Sequence, residues 1–162
     1  MFWKHFIRIT IAIILAGCGG NPLENDQDYS SLEGTDMLSL VNSARSRGAI
    51  CGSDSMPPVA ALRWSTKLEN AADLHAEDMR GNQFFDHEGS NGSQVSSRVS
   101  RQNYRWRAVG ENIARGQNSV RSVVIDWMKS EGHCRNIMGA KFSEIGASRS
   151  GTYWVQVFAA PQ

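Results

Sequence analysis

The hydrophobic period changes near the end of this chain, and that change limits what it can fold into. Glu144 to Ser148 and Thr152 to Phe158 (TYWVQVF) alternate or run continuously β-prone around a tight turn at Ser150-Gly151. A two-stranded hairpin cannot bury both of its faces, so other elements must cover it. The strongest upstream segments have helical spacing. Thr35 or Asp36 can cap a helix with Met37, Leu40, Val41 and Ala44 on one face and Gly48 as its stop. Ser65 precedes a second helix whose face carries Leu68, Ala71, Ala72, His75, Ala76 and Met79. After a turn-rich GSNGS loop (Gly89 to Ser93), a short helix is placed around Val95 to Val99. A third strong helix starts at Ser119, buries Val120, Val123, Val124, Trp127 and Met128, and ends near Gly132. A further strand is placed through Ala108 to Ile113. Helices scattered along the chain with a closing hairpin give an α+β domain, helices packed on an antiparallel sheet.

The first residues follow a different rule. Lys4 and Arg8 precede nine uncharged residues, Ile9 to Gly17 (ITIAIILAG), and then Cys18. A basic start, a short apolar run and small residues make a secretory signal, and the run is well short of the ~20 residues a spanning helix needs. Leu15-Ala16-Gly17-Cys18 resembles the bacterial lipobox, which implies cleavage after residue 17 and lipid on Cys18; a plain signal peptide with an incidental Cys is the alternative. Gly19 follows the Cys instead of Asp, so in a Gram-negative host the resemblance implies sorting to the outer membrane. Residues 18–34 then read as the lipidated Cys and a polar tether (GGNPLENDQDYSSLEG after Cys18), and residues 35–162 as the folded domain. Removing Lys4 and Arg8 with residues 1–17 leaves 15 bases against 16 acids, a formal charge of −1. No basic field remains for holding nucleic acid by counterion release. With Cys18 assigned to lipid, Cys51 and Cys134 remain in an oxidising compartment, where a disulfide is the default and a Cys nucleophile the sharper alternative.

Three histidines remain after the signal: His75, His87 and His133. His75 lies on the apolar stripe of its helix and reads as a hydrogen-bonded core residue. His87 ends Phe84-Phe85-Asp86-His87, whose two aromatics can anchor the segment while the imidazole faces a cleft. His133 follows Gly132 beyond a helix end, beside Cys134. Glu111 sits between Gly110 and an Asn112-Ile113 pair at a strand edge. Two imidazoles and a carboxylate from separated loops form the ligand set of an open zinc site, although no short metal motif such as H-E-x-x-H supports it. No G-x-S-x-G is present, and Ser130 lacks an obvious orienting acid. Trp64, Trp106, Trp127 and Trp154 read as core, and Arg98, Arg101, Arg105 and Arg107 as a solvated basic face with an anionic contact as its second reading.

In order along the chain, these segments resemble the CAP (SCP-like) superfamily of cysteine-rich secretory, antigen 5 and pathogenesis-related proteins, in its bacterial extracellular branch. The resemblance is carried by Leu40 to Arg45 (LVNSAR), Ala71-Ala72 through His75-Ala76, Phe84 to His87 (FFDH), Gly110 to Ala114 (GENIA), Trp127 to Ser130 with Gly132-His133, Asn136 to Met138, and Tyr153-Trp154 with Gln156 to Phe158. It implies a three-layer α-β-α sandwich with a central antiparallel sheet and a cleft, bridged by Cys51 and Cys134. Eukaryotic members line the cleft with two His and two Glu. His87 and Glu111 match the first of each; the second Glu falls on Ser130, beside Glu131, and the second His on Thr152 or Tyr153, with His133 as its replacement. The resemblance implies a cleft of His87, Glu111 and His133, with Glu131, Ser130 and Tyr153 as weaker members, able to take zinc or another divalent metal. The function expected is a lipid-anchored envelope protein that binds an unidentified envelope ligand or protein; the alternatives are a metal-dependent, peptidase-like hydrolase and a structural protein with a vestigial cleft.

Overall fold

A computed structural model describes residues 22–162, with side chains from Glu33 onward. The signal segment and Cys18 lie outside the described residues. Helix α1 (Pro22–Arg47) starts well before the Thr35 or Asp36 expected from apolar spacing. Pro22 occupies its first position, where a missing N–H costs nothing, and the acids Glu24 and Asp26 follow in the first turns. The polar stretch read as tether has no apolar period, so nothing in its sequence signalled a helix. The stop at Gly48 is as expected, with φ +75.

Strands β1 (Ala49–Cys51) and β2 (Asp54–Met56) form a small separate hairpin that the sequence did not disclose. Then come β3 (Arg63–Trp64), α2 (Thr66–Gly81), α3 (Val95–Arg101), β4 (Trp106–Arg115) and α4 (Val120–Lys129). Helix α2 buries the six residues read as its stripe, with extended Ser65 at its N-cap, though the Ser65 side chain makes no cap bond. Ser119 and Ser122 close a capping box on α4. The chain finishes with α5 (Glu131–Ile137), β5 (Glu144–Ser150) and β6 (Tyr153–Pro161). One correction concerns His133, which lies within α5 and not in a loop. Ser130, extended at φ −92 and ψ 122, ends α4 and starts α5.

The main sheet runs β3-β5-β6-β4. β4, β6 and β5 are antiparallel, and the two-residue β3 adds a parallel edge, so the sheet is mixed at one margin. β6 shows why the domain has three layers. Its residues from Tyr153 to Ala160 are all buried, and they alternate between two cores. Tyr153, Val155, Val157 and Ala159 pack with Leu68, Ala72, Met79 and Val99 of α2 and α3. Trp154 and Phe158 pack with Met37, Val41, Val123, Trp127 and Ile137 of α1, α4 and α5. α2 lies so close to β5 that a Cβ on Gly146 would meet the Glu69 backbone nitrogen at 2.0 Å.

β4 is an edge strand whose outer side is closed by side chains. The carbonyls of Glu111 and Ile113 accept hydrogen bonds from Asn136 Nδ2 at 3.0 Å and Trp127 Nε1 at 3.1 Å. The Cys51–Cys134 disulfide forms as expected and ties β1 to α5. Cross-linking residues 83 apart in sequence stabilises the fold by on the order of 4 kcal/mol in the chain-entropy model. No helix among the described residues is long and apolar enough to cross a membrane.

Candidate functional site

The site is built on Glu111, because strand alternation turns its side chain toward the α2–α3 layer with Ile113 while Asn112 faces α5. The Glu111 side chain is only 2% exposed. Burying a carboxylate this far requires partners, and three surround it. Arg98 Nη2 donates to Oε2 at 2.7 Å, and His87 Nδ1 lies 2.8 Å from Oε1. His75 Nε2 is 4.0 Å from the same Oε1.

Arg98 also holds the loop that carries His87. It donates to the His87 carbonyl at 3.0 Å and the Ser93 carbonyl at 2.6 Å, so one guanidinium fixes both the carboxylate and the backbone of its imidazole partner. Phe84 packs against the α2 core and tilts on His75, with ring centroids 6.2 Å apart. Phe85 is 46% exposed, so only one of the two aromatics anchors the segment. The GSNGS loop ties to itself through Gly89 N–H to the Ser93 carbonyl and Gly92 N–H to the Gly89 carbonyl.

The electrostatics separate the three imidazoles. The hydrogen bond with Glu111 holds the His87 imidazolium and raises its pKa above the ordinary value, with burial opposing. Burial lowers the His75 pKa, with the Glu111 charge opposing. His75 Nε2–H donates to the Asp86 carbonyl at 2.9 Å, and Nδ1 has no partner among the described residues. His133 is pushed down by burial first and by the charge of His87 second. The surroundings therefore favour a proton on His87 more than on either of the other two.

An amide relay positions the helix that carries His133. Gln156 Oε1 accepts from Asn112 Nδ2 at 3.1 Å, which also donates to the His133 carbonyl at 3.2 Å. Asn136 Nδ2 donates to Asn112 Oδ1 at 2.9 Å. These amides fix α5 to the main sheet, and the disulfide at Cys134 fixes it to the small β1–β2 hairpin.

The other expected site residues lie elsewhere. Glu131 is exposed, pairs with Arg135 at 2.7 Å and covers Gly52 of the small hairpin. Ser130 serves as the joint between α4 and α5. Tyr153 is buried in the α2-side core at the turn end of β6, with Arg115 stacked 4.8 Å from its ring, and Thr152 is exposed beside it. Glu111 pairs instead with Val157, four residues along β6. Arg98 overturns its reading as a solvated residue, because it is 4% exposed; Arg101, Arg105 and Arg107 are exposed as expected. Its position was legible: in α3 it shares the stripe of Val95 and Val99, as His75 shares that of α2. His75 is a core residue as expected, but it also forms the floor beneath Glu111.

No group of three or more His, Cys, Asp or Glu among the described residues is arranged to hold a metal ion. Both Glu111 oxygens are occupied, one by a guanidinium that repels cations. The carboxylate therefore stands behind His87, as an outer partner that orients the ring, and leaves Nε2 as that ring's outward nitrogen.

Residues 38–158 match the CAP family, described as the cysteine-rich secretory protein family. The Bacillus subtilis protein YkwD is 34% identical over 99 residues, which is 60% of this chain and 38% of that protein. The Bacillus subtilis membrane protein YlbC is 27% identical over 100 residues, 62% of this chain and 29% of the relative. The match thus spans less than two fifths of either relative. Among solved structures, an extracellular SCP-domain protein from Bacillus anthracis superposes with TM-score 0.75 at 23% identity, covering 87% of this chain and 44% of that one. An outer surface protein of Borrelia burgdorferi gives 0.65 at 18% identity, covering 86% and 95%. At these identities the structures establish the three-layer fold.

Proposed function

The chain belongs to the cysteine-rich secretory protein (CAP) family, and from that premise we propose that it is an exported, lipid-anchored envelope protein whose domain binds a ligand or partner protein at His87, Glu111 and His133. The lipobox-like ending at Cys18 and the disulfide support export. Similar folds in an extracellular protein and in an outer surface protein support the same compartment. Outer-membrane sorting follows for a Gram-negative host.

One observation carries binding ahead of hydrolysis. The Glu111 side chain is 2% exposed and each of its oxygens already accepts a hydrogen bond, so it is poorly placed to take a proton from a water, as a general base must. What it supports instead is a His87 ring fixed through Nδ1 with a 54% exposed side chain, an outward-facing imidazole that can hold an anionic or carbonyl group, most strongly when protonated. Glu111→Gln in the full-length chain, purified in detergent, should weaken capture of the partner pulled down from envelope extracts by wild type. Unchanged capture would remove the site from the function. Cys18→Ser should move the chain out of the membrane fraction, and its retention there would defeat the anchor.

The second reading is a metal-dependent hydrolase, and the geometry of His87 is what supports it: Nδ1 is engaged by Glu111 and the side chain is 54% exposed, which leaves Nε2 as the nitrogen open to a ligand role. His87 and His133 would hold zinc, with Glu111 orienting His87, and the metal would supply an activated water. Calorimetric zinc titration of wild type, His87→Ala and His133→Ala decides this: loss of heat in both variants supports the metal, and equal heats in all three reject it.

A further inference from the structure

The end of the sheet opposite the β5–β6 turn carries a second feature. The α3–β4 connection and the C-terminal residues enclose an open groove of about 860 Å³, lined by Asn103, Tyr104, Arg105, Trp106, Arg107 and Gln162, with no acidic side chain in its lining. Arg105 and Arg107 are exposed, and neither enters an ion pair among the described residues. Glu144, which the lining residue Tyr104 contacts, is occupied by the Tyr104 hydroxyl at 2.8 Å and by Arg63 at 3.4 Å.

The groove is built from fixed backbone. Gln162 N–H donates to the Arg105 carbonyl and Gln162 Nε2 to the Trp106 carbonyl, both at 3.1 Å. The β4–β6 register slips between Trp106 and Ala108, which makes Arg107 the extra residue of a bulge, a device that re-aims a side chain at a sheet edge. Trp106 is half-buried and held by Ser100 Oγ at 3.1 Å.

We propose that this groove binds an anionic glycan, its phosphate, sulfate or carboxylate groups on the Arg105 and Arg107 guanidinium forks and a sugar ring against Trp106. Guanidinium forks match such oxyanions, and an aromatic flank suits the apolar face of a sugar ring more than a bare ion. A membrane surface fits less well. α1 is held toward the turn end by the Glu33–Arg149 pair and the Met37–Gln156 contact, so the described chain enters the domain from that end and an N-terminal anchor would be tied to the domain there, away from the groove. The β4–β6 register runs from Arg115–Tyr153 at that end to Trp106–Pro161 at the groove, a distance of about 30 Å. The orientation rests on the anchored-envelope reading; the groove chemistry does not.

The test uses the full-length chain in detergent with four probes: dextran sulfate, uncharged dextran, inorganic polyphosphate, and vesicles of phosphatidylglycerol with phosphatidylcholine. Dextran sulfate should bind and dextran should not. Arg105→Ala with Arg107→Ala should weaken dextran sulfate at least about tenfold and lower the salt dependence by roughly two charges. Arg121→Ala with Lys129→Ala, the same charge loss at the α1–α4 face, should leave affinity unchanged. Trp106→Ala should weaken dextran sulfate more than polyphosphate, and Trp106→Phe should restore the difference. Equal losses from the two double variants, equal effects of Trp106→Ala on both polyanions, or tighter arginine-dependent binding to vesicles would each overturn the proposal. Thermal midpoints confirm that each variant folds. Retention of Cys18→Ser in the membrane fraction would defeat the anchor and leave glycan binding standing, so the two failures are distinguishable.

Discussion

Two arginines are buried in this domain, and they are held in opposite ways. Arg45, fully buried, has only carbonyl partners: Ala60 at 2.8 Å, Ile137 at 2.6 Å, Gly139 at 3.1 Å and Phe142 at 3.4 Å. Ile137 and Gly139 sit at the end of α5, where unpaired carbonyls and the helix dipole favour a cation. Arg98 instead meets the carboxylate of Glu111, and its Nε has no partner among the described residues. The first arginine closes a gap in the backbone accounting of the β2–β3 loop, α5 and the loop to β5. The second holds charge and geometry at a site open to solvent through His87. A buried cation thus marks function by its partner's link to the surface, and not by burial alone.

The comparison can be broken most directly at Arg45. Arg45→Met should leave several buried carbonyls unpaired and cost about 4 kcal/mol or more, measured by urea unfolding. A cost near that of a surface change would show that the carbonyl cage adds nothing. Arg98→Met should cost about 3 kcal/mol, because it strands a buried carboxylate. Adding Glu111→Leu should recover much of that loss, whereas no partner substitution should rescue Arg45→Met. Additive losses in the Arg98/Glu111 cycle would deny the coupling.

A titration sharpens the contrast further, since among the two centres only that of Arg98 contains imidazoles. His87, with its pKa raised by the Glu111 hydrogen bond, contributes stability that is full below its unfolded value near 6.5 and is lost as pH rises through the higher folded value. His75, lowered by burial, acts in the other direction: its contribution is present above about 6.5 and is lost as pH falls below it. Imidazole NMR should place His87 above that value and His75 and His133 below it. Arg98→Met should move the midpoints of His87 and His75 upward, since the guanidinium charge lowers both, and Arg45→Met should leave them in place. Reversed order would overturn the charge assignment. The smallest expected effect is at Glu131→Gln, which removes one exposed ion pair and should change stability by under about 1 kcal/mol without altering the His87 titration. A large shift in that titration would return Glu131 to the site.

Periodicity disclosed the fold wherever one face of an element is buried and the other is not. The stripes of α2 and α4 and the closing hairpin are of this kind. It failed where the sequence carries no period: the polar first half of α1, the three-residue strands β1 and β2, and the two-residue β3. At the site, His87 and Glu111 were legible because a lone imidazole after two aromatics, and an acid among apolar strand residues, are local oddities. Arg98 had a signal in the stripe it shares with Val95 and Val99, but grouping it with Arg101, Arg105 and Arg107 made it read as one of a solvated set. Tyr153 and Glu131 were carried in by alignment to a pattern, and their side chains point to other neighbours.

By itself, the sequence determined the α+β class of this protein and the pair of cysteines that could cross-link it, because apolar spacing and residue type are local properties, and its ordered motifs determined the family, which implied the three layers. Tertiary structure alone decided that Arg98 and His75 face one carboxylate, that Glu111 stands behind His87, and that a bulge turns Arg107 into a groove. Those outcomes depend on which elements share a sheet face, and the free energy of a buried charge depends on every partner that the fold brings within reach.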